Sequence, residues 1–172
     1  MEKNNFGIKG MLQYYSFIDW IKDVVIPFFC AVVMILFAIY QKDDSLNLLI
    51  DLVDIALNVV PALFSLLLTA YLFLLTFMQT DKLRLLFGSD NGKKLLLQLN
   101  SSFAICVLTS AITLALVLMI YFVVKLELSC IYADVVNYFT IFVVSVLLGF
   151  LIKIQFSIVI DLYNCGQATF YM

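Results

Sequence analysis

The chain has 172 residues, of which 65% are hydrophobic, 13% are charged and none is histidine, and its formal net charge is −2. A soluble domain has about 45–50% apolar and about 25% charged residues, so this composition excludes a water-soluble globule and indicates a membrane protein. Without histidine and without a basic excess we predict no enzyme, no cofactor or metal centre and no direct binding of nucleic acid.

Four charge-free blocks mark the membrane spans that we predict. They contain 18, 26, 30 and 18 residues, and each is about long enough to cross a hydrocarbon core about 30 Å thick. Backbone groups in lipid must be satisfied within the segment, and the runs do not alternate as barrel strands do, so the blocks predict helices. We therefore predict an all-α polytopic membrane protein, a single transmembrane domain over residues 1–172, with spans at about 20–41, 55–80, 98–124 and 134–160.

Lysine and arginine in the flanks predict the orientation of these spans. Eight of the ten basic residues lie in the amino-terminal flank, in the connection between the second and third spans, or at the end of the fourth span. Lys42 and Lys125 lie on the other side. The positive-inside rule then places both termini and the middle connection in the cytoplasm.

Two prolines lie in the first two spans. Pro27 is close to the predicted start of the first span, where its missing N–H group costs least. Pro61 lies one to two turns inside the second span, where it predicts a kink.

A periodic row of polar residues leads into and along the second span, and we call it the polar stripe. Its members recur three, four or seven residues apart, which places them on one face of a helix. In one interpretation a solvated acidic end precedes small hydroxyl residues that let helices pack closely. In the other, several subunits surround a pore, with Asp51 and Asp54 at the mouth of a cation pathway and Asn58 below them. The polar stripe consists of Asp44, Asn47, Asp51, Asp54, Asn58, Ser65, Thr69 and Thr76.

The connection between the second and third spans predicts a long cytoplasmic hairpin of two helices. The helical pattern continues through Phe87, residues 88–92 indicate a turn, and a second helical run starts at Lys93. The basic residues either lie on anionic lipid headgroups or form a docking site for a cytosolic partner. The partner-binding residues that we predict are Lys82, Arg84, Phe87, Lys93 and Lys94.

The fourth span has small or polar residues four apart, at Ser145, Gly149, Lys153 and Ser157. Gly149 is the only glycine within any predicted span, so we expect hydroxyl and alanine contacts to bring the helices together. Lys153 is expected to extend its ammonium group to the cytoplasmic headgroups.

The layout resembles small four-helix bacterial membrane proteins that work beside a cytosolic protein, such as the membrane component of the Kiwa anti-phage system. The resemblance lies in size, in four spans with cytoplasmic termini, and in the basic hairpin at Lys82–Lys94. It implies a homo-oligomeric platform in the bacterial inner membrane that senses envelope disturbance and recruits a cytosolic effector.

We therefore expect a non-enzymatic, oligomeric, multi-pass subunit of the bacterial inner membrane. It would contact the lipid bilayer and anchor or signal to a cytosolic protein partner. The second hypothesis is a homo-oligomeric ion channel or pore lined by the polar stripe.

Overall fold

The structure is a computed structural model that describes residues 17–41, 44–77, 90–125 and 133–170. These residues form four helices, and the bounds are α1 Phe17–Gln41, α2 Ser45–Phe77, α3 Asp90–Lys125 and α4 Ala133–Phe170. All four are long and apolar enough to cross a membrane, over Trp20–Tyr40, Ser45–Thr76, Leu96–Lys125 and Ala133–Asn164. The prediction of an all-helical protein with four membrane-spanning helices is confirmed to that extent, and the orientation stays a prediction.

The start of α2 shows why this helix extends beyond its charge-free block. Asp44 caps the helix: its Oδ1 accepts a 3.1 Å hydrogen bond from the backbone N–H of Leu46, and its Oδ2 accepts one of 3.0 Å from Asn47 Nδ2. An aspartate at this position satisfies N–H groups that the first turn leaves without a helical partner. The helix therefore begins at Ser45, ahead of the predicted span.

The start of α3 corrects the predicted turn at residues 88–92. The helix already includes Asp90, Asn91 and Gly92. Backbone N–H groups of a first helical turn have no helical acceptor, so a turn-favouring sequence is tolerated there. Residues 78–89 lie outside the described residues.

Helix α4 lies at the centre of the packing and contacts each of the other three helices. Helices α2 and α3 also pack on each other, whereas α1 packs chiefly on α4. The core thus lies among α2, α3 and α4, and its largest fully buried side chains are Phe103, Leu67, Leu99, Ile141, Leu151 and Ile154.

The contact between α1 and α4 bears on two expectations. Pro27 is the eleventh residue of α1 rather than near its start, because the helix begins at Phe17. It lies against Gly149, where an added Cβ would be only 2.8 Å from the Cβ of Pro27. A glycine and a proline therefore meet where α1 packs on α4, a close contact that the expectation of hydroxyl and alanine contacts did not include. Two alanines of α1, Ala31 and Ala38, are also buried.

Candidate functional site

The polar stripe lies on the outward face of α2. All eight of its residues are exposed in the isolated chain, and the core residues of α2 lie on the opposite side of the helix. At 100° per residue, for example, Asn58 and the fully buried Val60 point about 200° apart. The polar stripe therefore lies away from the core of the chain, and of its residues Thr69 borders a shallow cavity that Leu162 of α4 also lines. The buried residues of α2 are Ser45, Leu49, Val53, Ala56, Val60, Leu67 and Leu74.

Several side chains of the polar stripe bond to their own helix. Thr69 and Thr76 donate 2.9 Å hydrogen bonds to the carbonyl oxygens of Ser65 and Leu72. Asn58 Nδ2 donates one of 2.9 Å to the carbonyl oxygen of Asp54. Asn58 Oδ1 accepts no hydrogen bond from any described residue. The threonine hydroxyl protons are thus satisfied locally, while the Asn58 amide retains bonding capacity.

The length of α2 separates the polar stripe into two zones. The apolar stretch Ser45–Thr76 has 32 residues and is therefore about 48 Å long, against a hydrocarbon core of about 30 Å. If the acidic end lies outside the hydrocarbon, Asp51 and Asp54 meet water and Asn58 lies near the boundary. Ser65, Thr69 and Thr76 then face the hydrocarbon.

A hydrogen-bonded cluster joins the first residue of α2 to the first turns of α4. The buried hydroxyl of Ser45 donates a 2.6 Å hydrogen bond to Asp134 Oδ1 and accepts one of 3.2 Å from Asn137 Nδ2. Sequence reasoning missed this cluster. The sequence feature that could have indicated it is an acid and an amide three residues apart, Asp134 and Asn137, at the start of the predicted fourth span. The predicted topology places this start on the same side of the membrane as the start of the second span.

An ion pair joins the first part of α1 to the middle of α4. Lys153 Nζ lies 3.9 Å from Asp23 Oδ1, and Lys153 also approaches the hydroxyl of Ser157 at 3.5 Å. Asp23 is buried, and the Lys153 side chain is 35% exposed. The expectation that Lys153 extends to lipid headgroups did not include this carboxylate. The sequence feature that could have indicated this pair is the opposite charge of two flanking residues: Asp23 precedes the first charge-free block and Lys153 follows the fourth.

A hydrogen bond between two side chains links α2 to α3. Tyr71 Oη donates a 2.8 Å hydrogen bond to Asn100 Oδ1, and its ring lies 5.6 Å from that of Phe103. Beside it is an apolar groove of about 400 Å³ between the two helices. The Tyr71 phenol is the one titratable side chain among the lining residues of this groove. The lining residues are Phe64, Leu68, Tyr71, Phe103, Ala104, Val107, Leu108 and Ala111.

The predicted partner-binding residues fall largely outside the structure. Lys82, Arg84 and Phe87 lie outside the described residues, and Lys93 and Lys94 belong to the beginning of α3, with side chains that are not described. Helix α3 begins at Asp90, six residues before its apolar stretch at Leu96. These six residues extend the helix by about 9 Å, so Lys93 and Lys94 lie on a helical extension.

Comparison with protein-family models, with curated proteins and with solved structures finds no match to this chain. Within residues that the structure describes, no group of three or more potential metal ligands is present. The polar stripe and the helical contacts described above are therefore the features on which a functional interpretation depends. The resemblance to the Kiwa membrane component stays a hypothesis.

Proposed function

We propose that this chain is a non-enzymatic subunit of a homo-oligomer in the bacterial inner membrane, and that it anchors or signals to a cytosolic partner. The polar stripe carries the proposal, because it lies along α2 on the side opposite the core of the chain. Lipid tails offer no hydrogen-bonding partners, whereas another protein surface does.

A second copy of the chain is the occupant that best suits the polar stripe. The Asn58 amide contains both a donor and an acceptor, so two copies related by symmetry can bond to each other. Ser65, Thr69 and Thr76 are small enough to let two α2 helices approach closely. At the acidic end, Asp51 and Asp54 would repel their counterparts unless water or cations lie between them.

The helical extension of α3 supports a second contact, with a cytosolic protein. It places Lys93 and Lys94 beyond the apolar stretch, on the side that the positive-inside rule assigns to the cytoplasm. A partner with an acidic surface fits these charges. The resemblance to the Kiwa membrane component extends this proposal to envelope sensing in phage defence.

Oligomerisation is tested by counting subunits of the full chain in nanodiscs by single-molecule photobleaching. Asn58→Leu removes the bonding amide at nearly constant size and should shift the population to fewer subunits. Gln98→Leu is the matched control, since it removes an exposed amide from α3 without touching the polar stripe. A wild-type chain that is monomeric, or an Asn58→Leu variant with the wild-type subunit count, would contradict the proposal.

The cytosolic partner is tested by co-purification from cells with four charge reversals combined: Lys82→Glu, Arg84→Glu, Lys93→Glu and Lys94→Glu. Proteins that depend on the basic hairpin should be lost from the membrane fraction. The combination Lys42→Glu and Lys125→Glu is the control, because both lysines lie on the predicted outer side. Retention of the partner by the fourfold variant would contradict this part of the proposal.

A cation channel is the second candidate function, and the exposure of Asp51 and Asp54 on the polar stripe favours it. In a ring of subunits these carboxylates would raise the local cation concentration at a pore mouth. Cation flux into liposomes should fall on Asp51→Asn and change on Asn58→Leu. Absence of flux through a wild-type protein that is fully assembled would exclude the channel. The anchoring or signalling subunit would then remain as the proposed function.

A further inference from the structure

We infer that the apolar groove between α2 and α3 holds an acyl chain of an anionic phospholipid, phosphatidylglycerol, whose phosphate lies beside the start of α3. Such a lipid would bind whether or not the chain meets a second copy or a cytosolic partner. The site therefore goes beyond the proposed function.

Two alanines of α3 leave the space that forms the groove. Ala104 and Ala111 are seven residues apart, so they lie on one face of the helix, and both line the groove of about 400 Å³ together with the fully buried Phe103. Leu68 and Leu108 border it and are exposed in the isolated chain, so the groove opens towards the surroundings of the bundle. An acyl chain that enters it gains dispersion contacts that the lining otherwise lacks.

The polar stripe lies on a different part of the surface of α2. Phe64 and Leu68 line the groove, and they directly precede Ser65 and Thr69 of the polar stripe. Neighbouring residues of a helix point about 100° apart. A second copy can therefore occupy the polar stripe while the groove stays open to lipid.

One end of the groove is polar. Tyr71 Oη donates its 2.8 Å hydrogen bond to Asn100 Oδ1, and Asn100 Nδ2 donates none to any residue that the structure describes. Asn100 lies four residues after Leu96, where the apolar stretch of α3 begins, and therefore about 6 Å inside it. A phospholipid carries its ester carbonyl groups near this boundary, and an amide N–H group can donate to one of them.

Beyond this polar end, α3 continues as the helical extension that contains Lys93. Lys93 is seven residues before Asn100 and so lies on the same face of the helix. It is three residues before Leu96, about 4.5 Å outside the apolar stretch. From Lys93 through Asn100 to Ala104 this face is basic, then polar, then apolar, which is the order of phosphate, ester and acyl chain in a phospholipid. Basic pockets between transmembrane helices on the cytoplasmic side are typical sites for anionic headgroups.

Native mass spectrometry of the full chain, released from nanodiscs, counts the lipids that stay bound. The nanodiscs contain equal amounts of phosphatidylglycerol and phosphatidylethanolamine with the same acyl chains. The wild type should retain one phosphatidylglycerol per subunit in preference to phosphatidylethanolamine. Ala104→Phe and Ala111→Phe each place a ring in the groove and should lose this lipid. Ala115→Phe is the matched control, because Ala115 is exposed on α3 and is not among the lining residues.

A second pair of variants tests the position of the phosphate. Lys93→Gln should lower the preference for phosphatidylglycerol roughly fivefold, while the acyl chain still occupies the groove. Lys94→Gln is the matched control and should keep the preference, since Lys94 lies about 100° around the helix from Lys93. An equal fall in Lys94→Gln would overturn the assignment of the phosphate to the face of α3 that bears Asn100.

Three results would overturn the lipid site as a whole. They are retention of the two lipids in equal amounts by the wild type, wild-type retention by both groove variants, and an equal loss in Ala115→Phe. A changed subunit count with an unchanged lipid count in the groove variants would also overturn it, because the groove would then belong to a contact with another protein helix.

Discussion

A Cβ atom on Gly149 would lie 2.8 Å from the Cβ of Pro27, so α1 and α4 touch at this level without room for a methyl group. The proline ring cannot rotate away as a flexible side chain could. Close van der Waals packing of this kind is a principal source of helix association in lipid. The contact therefore predicts a specific sensitivity at position 149.

The variant Gly149→Ala should lower the free energy of unfolding in detergent micelles. Overpacking costs about 1–3 kcal/mol and opposes a gain of about 1 kcal/mol in helix propensity. We expect a net loss of about 1 kcal/mol, measured by denaturant unfolding monitored by circular dichroism. Val33→Ile, which adds one carbon at a position 64% exposed, is the control and should leave stability unchanged. A stabilised Gly149→Ala variant would contradict the packing.

The Ser45 hydroxyl predicts a coupling between α2 and α4. Ser45→Ala removes the 2.6 Å bond to Asp134 and the bond from Asn137, and should cost about 1–2 kcal/mol because the hydroxyl is buried and its acceptor is charged. The measurement is a double-mutant cycle with Asp134→Ala, which removes the acceptor, in the same unfolding assay. Additive effects of the two substitutions would contradict the contact. Asn47→Ala, on the exposed side of the same turn, should be nearly neutral by comparison.

The phenol of Tyr71 predicts a smaller effect between α2 and α3. Tyr71→Phe keeps the ring against Phe103 and removes the 2.8 Å bond to Asn100. Hydrogen bonds between membrane helices average about 0.6 kcal/mol, so we expect a loss of this size. Tyr40→Phe at a position 85% exposed is the control. An equal loss in both variants would show that the bond contributes nothing.

A buried hydroxyl in α3 predicts almost no effect. Thr113 is fully buried, and its hydroxyl donates a 2.8 Å bond to the carbonyl oxygen of Thr109 in the same helix. Thr113→Val keeps the shape, and the carbonyl keeps its helical partner, so stability should change by less than about 0.5 kcal/mol. A loss above that in the unfolding assay would indicate an interhelical partner for Thr113.

The positions of the spans were readable from the sequence because bilayer thickness limits the length of charge-free helix. The helix starts were readable to different degrees. The spacing of the polar stripe from Asp44 onward already predicted a second helix that starts ahead of its charge-free block, and the cap at Asp44 agrees with this. The inclusion of Asp90 in α3 was not predicted, because residues 88–92 have the composition of a turn.

Which face of α2 packs inward was not readable from the sequence. In water, polar residues such as Asn58 and Thr69 would be placed outside by the hydrophobic effect, but in lipid the outward face is apolar as well. The periodicity therefore showed that the polar stripe occupies one face of the helix. The burial of Val60 and Leu67 on the opposite face was needed to show that the polar stripe points outward. The pair of Asp23 and Lys153 is separated by 130 residues, so it follows only from the packing of α1 on α4.

The packing of α1 on α4 also has a consequence for biogenesis. Among the four helices α1 is synthesised first, and α4, its main neighbour, is synthesised last. At about 5–20 residues per second, Lys153 emerges several seconds or more after Asp23 has been translated. During that interval α1 must persist as an independently inserted helix, and a chain truncated before residue 133 would leave it without its neighbour. Such a fragment should be a substrate for membrane quality-control proteases, whereas the complete set of helices should be protected.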